Sequence, residues 1–277
     1  MSPVDAAFAH AMPAARLPVR QMLGATCRVL AARALPFGII ILVLAGVTEG
    51  CSYLAARAAR LTDDPELLLT VITGGGEMLA LIVTEIMSVI VGVVWLRIML
   101  LGEPHRARAY LRFGRRELRY LGLDILFGLA VSAPVAIGFG ILAYGAMPYL
   151  RGDMAWMDSY LLPLFLGVAL WSAVCAAWLG LAFPAVATDA TGGSIGLSWQ
   201  LSRGQRLPLF AAFLMGAYGW SVLPVAVLYA APAYTPIIAF LSTMLSFLPR
   251  MGFLAVSAVA YGRLQQHSLT SVAATFD

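Results

Sequence analysis

The sequence contains little charge. Only 12% of its 277 residues are charged, whereas a soluble domain usually carries about 25%. A chain of this size could not cover a water-facing surface with so few charged side chains, so a soluble globular enzyme is excluded. Disordered, collagen-like and coiled-coil chains are excluded as well, because 61% of the residues are hydrophobic.

Three residue types are too rare to support common kinds of site. The sequence has no lysine, so its 18 basic residues are all arginine and a lysine nucleophile or Schiff base cannot form. Its three cysteines are scattered, without metal-ligand spacing or a disulfide framework. Its three histidines lie outside the apolar runs, which argues against a haem, a metal or a Ser–His–Asp site there. We expect no catalytic residue, metal or cofactor.

Long apolar runs take the place of charge. A helix needs about 20 apolar residues to cross a membrane. The runs that meet this condition are 36–56, 70–100, 119–148, 160–186, 208–230 and 237–262. The sequence therefore predicts an all-α polytopic bundle, a single transmembrane domain over 1–277. Its six transmembrane helices form three hairpins, and a cytoplasmic interfacial amphipathic helix precedes each hairpin.

Arginines fall mainly on one side of the predicted spans. Both terminal segments and the connections after the second and fourth runs are rich in arginine, whereas the alternate connections balance arginine with acids or carry no charge. Positively charged connections remain in the cytoplasm. Both termini are therefore predicted to be cytoplasmic.

The arginine-rich connections are predicted to contact anionic lipid headgroups, at about 1 kcal/mol per arginine. The positive-inside rule explains them without nucleic acid binding. Trp95, Trp178 and Trp199 fit an aromatic belt at the same interface. The arginines assigned to headgroup contact are Arg106, Arg108, Arg112, Arg115, Arg116, Arg119, Arg203 and Arg206.

Three amphipathic segments resemble one another. Each has apolar residues at helical spacing, followed by an arginine that opens a span, and these arginines (Arg33, Arg119 and Arg206) are almost evenly spaced. The pattern predicts three repeats of an interfacial helix and a spanning hairpin. The alternative is that arginines simply begin unrelated hairpins. The predicted repeats are 15–101, 102–188 and 189–277.

The stretch 183–210 resembles part of a known family. It resembles the YciC-like bacterial inner-membrane proteins and the membrane domain attached to some glycerophosphodiester phosphodiesterases. The shared residues are Pro184, Asp189, Ser198, Trp199, Arg203 and Gly204. The resemblance implies a six-span fold in the bacterial inner membrane. It implies no catalytic residues, because in those phosphodiesterases they lie in a separate soluble domain.

Charged residues inside predicted spans are costly and mark candidate functional sites. Counted from cytoplasmic arginines, Glu85 lies about 18 Å deep and Arg250 about 20 Å deep, near the middle of a hydrocarbon core about 30 Å thick. We predict that they form an ion pair, which either fixes helix register or handles a proton or substrate. Asp124 is predicted at the inner headgroup level. Two further acids within the runs, Glu49 and Glu77, are predicted toward the outer side.

These features favour a non-enzymatic inner-membrane protein that organises lipids or acts as an accessory subunit of a membrane complex. Its expected partners are anionic membrane lipids and a protein of that complex, and nucleic acid is not expected. The alternative is a small transporter or channel that uses Glu85 and Arg250. A membrane-embedded enzyme is disfavoured, because no nucleophile and base can be named.

Overall fold

The computed structural model describes residues 18–60, 76–101, 114–146, 155–188, 194–221, 223, 226–227 and 236–276. These residues are helical, which confirms the predicted all-α class. A 3₁₀ turn covers Tyr218–Ser221. The α-helices of the described ranges are α1 (Val19–Ala32), α2 (Ala34–Arg60), α3 (Gly76–Leu101), α4 (Arg115–Ala146), α5 (Ala155–Leu179), α6 (Ala182–Ala187), α7 (Ser194–Ser202), α8 (Arg206–Gly216), α9 (Pro236–Ser246) and α10 (Leu248–Phe276).

Within the described ranges, two segments are long and apolar enough to cross a membrane, so the six predicted spans are not all confirmed. The two segments are Ile82–Leu101 in α3 and Phe240–Gln266, which runs from α9 into α10; the shorter segments Gly38–Cys51 and Leu166–Leu179 are also apolar. Only 39% and 50% of the two longer windows are buried inside the protein. The uncovered apolar surface of these windows fits membrane association.

Large apolar side chains lie on the outside of several other helices as well. Such a broad apolar surface on a soluble protein would promote aggregation, whereas lipid chains or a partner protein would cover it. The side chains of α2, α4 and α5 that are at least 40% exposed include Ile39, Leu42, Val43, Ile125, Leu129, Leu166 and Leu170.

The amphipathic segment before the first apolar run forms α1, a helix of its own. It follows Pro18 and ends at Arg33, where the backbone turns before α2 begins. Met22 and Thr26, one helical turn apart, are buried, and α1 packs against α8 and α10. The apolar side of α1 therefore covers other helices of the chain.

Pro134 lies inside α4 without ending the helix. Proline has no N–H to donate, so the carbonyl of Ala130, four residues earlier, loses its helical partner. The indole of Trp171 in α5 donates a hydrogen bond to this oxygen at 2.9 Å, and Cys175 Sγ lies 3.8 Å from the same oxygen. A side-chain donor from α5 thus replaces the missing backbone donor.

The fourth apolar run, predicted as one span over 160–186, is broken. α5 ends at Leu179 and the chain turns at Gly180 into α6. A Cβ on Gly180 would lie 2.6 Å from the ring of Phe213, so glycine allows α8 to approach at this turn. All six residues of α6 are buried, which explains why their apolar composition looks like the end of a span.

The fifth run, predicted over 208–230, also differs. α8 ends at Gly216, where it crosses α10 in close contact: a Cβ on Gly252 would collide with the Gly216 carbonyl and lie 3.1 Å from Cα of Ala217. A 3₁₀ turn follows α8. Beyond this turn only residues 223 and 226–227 of the run belong to the described ranges.

The sixth run contains a break at Phe247, between α9 and α10. Pro249 follows in the first turn of α10, where a missing backbone N–H leaves no carbonyl without a partner. Of the arginines predicted to open spans, Arg33 stands between α1 and α2 and Arg206 begins α8, whereas Arg119 lies inside α4. The residues before Gly114 that would form the second interfacial helix lie outside the described ranges.

Candidate functional site

Arg250 joins three helices through two carboxyl groups. It lies in the first turn of α10, where Nη1 is 3.4 Å from Oε2 of Glu85 in α3 and Nη2 forms an ion pair with Oδ2 of Asp124 in α4. The structure therefore brings together the two residues paired from the sequence and adds Asp124. Glu85 and Arg250 belong to the two membrane-length segments. We call these three residues the charge cluster.

Close helix packing places Asp124 beside Glu85. Glu85 and Gly92 are seven residues apart on one face of α3, and Tyr120 and Asp124 are four apart on one face of α4. A Cβ on Gly92 would lie 2.5 Å from the Tyr120 hydroxyl and 3.0 Å from its ring carbon Cζ. Because Gly92 has no side chain, the Tyr120 ring rests against α3 and brings the next turn of α4 to Glu85.

Aromatic rings pack next to the charge cluster. Phe183 of α6, which is 1% exposed, contacts the rings of Tyr120 and Phe127 in α4 and of Phe253 in α10, with centroids 5.1, 5.8 and 5.1 Å away. Such pairs contribute about 0.5–1.5 kcal/mol each beyond their burial. Phe127 and Phe253 lie three residues after the acid of α4 and the arginine of α10, so the rings hold the two helix faces that carry these charges.

The side chains of the charge cluster differ in exposure. Asp124 is 13% exposed, Arg250 is 28% exposed and Glu85 is 43% exposed. Asp124 is therefore the inner group, and Glu85 is the group that meets the surroundings. Two carboxyl groups beside one guanidinium can take up or release a proton. They do not form a nucleophile paired with a general base.

Further polar side chains connect α9, α2 and α3. The hydroxyl of Thr243 in α9 donates to Glu49 Oε1 in α2 at 2.5 Å. The adjacent Thr48 contacts Thr84 of α3, with 3.1 Å between the hydroxyl oxygens. Since Thr84 precedes Glu85 in the chain, this polar group reaches the helix turn that carries the charge cluster.

A second charged site lies where α7 meets α8. The guanidinium of Arg206 is 4.3 Å from the ring centroid of Trp199 and 5.7 Å from that of Trp178, within cation–π range. The two indoles are 5.7 Å apart in a T-shaped contact, and both are partly exposed, 40% for Trp178 and 47% for Trp199. Trp95, assigned to the same belt from the sequence, is fully buried in the core.

The turn between α7 and α8 gives this site its shape. Gly204 has φ 80°, a left-handed conformation that side chains other than glycine disfavour. The hydroxyl of Ser198 donates to the carbonyl of Trp178 at 2.8 Å and ties α7 to the end of α5. An open cavity is lined by Trp199, Arg203, Gly204, Arg206 and Leu207. We call Trp178, Trp199, Arg203 and Arg206 the arginine–tryptophan corner.

The remaining arginines predicted to contact lipid lie at the start of α4 or before it. Arg115 and Arg119 are exposed, while Arg116 Nε is 3.5 Å from the carboxylate of Glu117. Glu117 also accepts the N–H of Gly114 at 2.9 Å and caps the helix start. Arg106, Arg108, Arg112 and Asp189 lie outside the described residues.

Two partners were missed from the sequence, Asp124 for Arg250 and Trp178 for Arg206. The sequence does contain a signal for Asp124. Tyr120 lies four residues before it and Phe127 three residues after it, so all three share one face of the helix. Nothing comparable pointed to Trp178, since its contact with Arg206 depends on the turn after α7.

Within the described ranges, no group of three His, Cys, Asp or Glu side chains is placed to hold a metal ion. No protein-family model, curated protein or solved structure matches the chain. The charge cluster and the arginine–tryptophan corner are therefore the two features of the chain that bear on its function.

Proposed function

We propose that this chain is a non-enzymatic inner-membrane protein that binds anionic lipids at its cytoplasmic face. It organises these lipids in the bilayer or acts with them as an accessory subunit of a membrane complex. The observation that carries the proposal is the arginine–tryptophan corner, where Arg206 is held against two partly exposed indoles beside an open cavity.

The proposed topology has six spans, with both termini in the cytoplasm of a bacterium. In addition to the two membrane-length segments, α2, α4 and α5 have 27, 32 and 25 residues. At 1.5 Å per residue each exceeds the hydrocarbon thickness of about 30 Å. The remaining span of the proposal is the predicted run 208–230, which begins within α8. The resemblance of 183–210 to bacterial inner-membrane proteins supports the same layout.

The arginine–tryptophan corner has the composition of a membrane interface. Indole rings prefer the headgroup level of a bilayer, where one side of the ring is apolar and the other is wet. The neighbouring Leu207 is 77% exposed, as is Leu35 at the start of α2, and both would insert among lipid chains. Arg203 and Arg206 would then face the phosphate layer, where an arginine binds phosphate through two parallel hydrogen bonds.

Lipid retention tests the proposal. The chain is extracted in native lipid particles without detergent, and the retained lipids are quantified by mass spectrometry. We expect enrichment of an anionic phospholipid over the bulk membrane, and Arg206→Gln should weaken binding of that lipid about fivefold, the effect of about 1 kcal/mol for one arginine. A stoichiometric protein in the same particles would identify the complex.

Arg57→Gln is the matched control. Arg57 is an exposed arginine near the end of α2, and the change removes the same charge away from the corner. If Arg57→Gln and Arg206→Gln weaken lipid binding equally, the binding depends on total charge and not on the contacts of the corner. Retained lipid with bulk composition in the wild-type particles, and no protein partner, would contradict the proposal.

A small transporter or channel is the second candidate. It is favoured by the charge cluster, which spans α3, α4 and α10 and leaves Glu85 43% exposed. Flux through reconstituted vesicles that is abolished by Glu85→Gln but not by Glu49→Gln would support transport in place of lipid organisation.

A further inference from the structure

The two acids of the charge cluster approach each other as well as Arg250. Both carboxyl groups bind the same guanidinium, Glu85 through Nη1 of Arg250 at 3.4 Å and Asp124 through Nη2, so the two acids lie side by side on one cation. An ionised carboxylate only accepts hydrogen bonds, so a bond between two carboxyl groups requires that one of them carries a proton. The geometry therefore accommodates a proton between these side chains.

The charge balance of the cluster leads to the same conclusion. With both acids ionised, one guanidinium leaves a net charge of −1 between apolar helices, and an uncompensated charge there is costly. α6 and α9 contribute no titratable residue, and Tyr120 of α4 is buried beside the cluster. Glu49 of α2 is engaged by Thr243, and Arg97 of α3 donates to the carbonyl of Ala187.

We infer that the charge cluster binds one exchangeable proton, shared between Glu85 and Asp124, while Arg250 balances the remaining negative charge. Binding adds H⁺ to one carboxylate and makes the cluster neutral; release restores the charge of −1. Glu85 is the more exposed acid, so the proton enters and leaves at its carboxyl group. The inference is independent of the lipid proposal, and it would give a transporter its proton site.

Infrared spectroscopy of the full chain in lipid nanodiscs tests this inference. A protonated carboxyl group has a C=O stretching band that is separate from carboxylate bands and shifts when H₂O is replaced by D₂O. We expect such a band at neutral pH in the wild type. Glu85→Gln and Asp124→Asn should each abolish it, because each leaves one ionised acid paired with Arg250. Glu49→Gln, the matched control, should retain it.

Each result decides the question. Absence of a deuterium-sensitive band from the wild type would overturn the inference, and so would its survival in either Glu85→Gln or Asp124→Asn, because the proton would then belong to one acid alone. Should a variant fail to fold, ¹³C-labelling of all glutamates or all aspartates in the wild type replaces it. Both labels should shift the band, and a shift with only one label would overturn the sharing.

Discussion

At the residue scale, the charge cluster makes its three members unequal. Loss of either acid leaves one carboxylate opposite one guanidinium, so the charges still balance. Loss of Arg250 leaves two carboxyl groups together without a cation. A charge whose partner is removed inside a protein typically costs more than the pair contributed. The three side chains should therefore respond differently to substitution, although all three belong to one set of contacts.

Arg250→Met should lower the free energy of unfolding by at most about 3–5 kcal/mol, the usual cost of removing one partner of a fully buried ion pair, because Arg250 is 28% exposed. Asp124→Asn should cost clearly less, because Glu85 keeps its guanidinium partner. Unfolding of the purified chain in lipid particles, followed by circular dichroism, measures both.

The matched control for this series removes the acids as well. Combining Arg250→Met with Glu85→Gln should recover part of the loss, and adding Asp124→Asn should recover most of it. Losses that simply add across the single, double and triple variants would show that the three groups do not interact.

At the element scale, hydropathy predicts which parts of the chain are helical but not where the helices are interrupted. The run 160–186 looks continuous because α6 is as apolar as a span, yet its burial against Tyr120, Phe127 and Phe253 makes it a short core helix. Composition alone cannot separate the two cases, since both exclude polar side chains. Hydropathy does not show the break at Phe247 either, although Pro249 follows two residues later, and proline favours the first turn of a new helix.

The pairing of Glu85 with Arg250 was accessible from the sequence, because depth along a helix follows from counting residues. The same count places Asp124 at the headgroup level, which remains a prediction, and it does not indicate the ion pair of Asp124 with Arg250. The position of Asp124 depends on Gly92, which lets the Tyr120 ring rest on α3, and no single helix reveals such a contact. The arginine–tryptophan corner was predictable as a set of interfacial residues but not as a set of contacts.

The crossing of α8 and α10 depends on a glycine. Gly252→Ala should destabilise the chain by about 1–3 kcal/mol, because its Cβ would meet the backbone of Gly216 and Ala217 and backbone cannot yield as a flexible side chain can. Gly46→Ala in α2 is the control, since nothing lies within 4 Å of a Cβ there, and it should be neutral or stabilising. Thermal unfolding of both variants in lipid particles measures the effect. Equal unfolding midpoints for the two variants would contradict the close crossing of α8 and α10.

At the scale of the whole molecule, the two sites lie on different parts of one helical scaffold. The arginine–tryptophan corner occupies the junction of α5, α7 and α8, whereas the charge cluster joins α3, α4 and α10. α6 lies between α5 and α7 in the chain and packs against α3, α4, α7 and α10. This short buried helix therefore contacts elements of both sites. Its position sets the arrangement of the arginine–tryptophan corner relative to the charge cluster.

The native cysteines allow the proposed orientation to be tested without adding a probe. Cys27 on α1 is exposed, Cys51 on α2 is half-buried and Cys175 is buried. With both termini in the cytoplasm, a membrane-impermeant maleimide should label Cys27 in inside-out vesicles but not in right-side-out vesicles, and Cys27→Ser should remove the labelling seen in inside-out vesicles. Labelling after unfolding in SDS, where every cysteine reacts, gives the maximum signal with which the vesicle samples are compared. Labelling of Cys27 only in right-side-out vesicles would place α1 and the arginines outside, and would remove the cytoplasmic lipid surface from the proposed function.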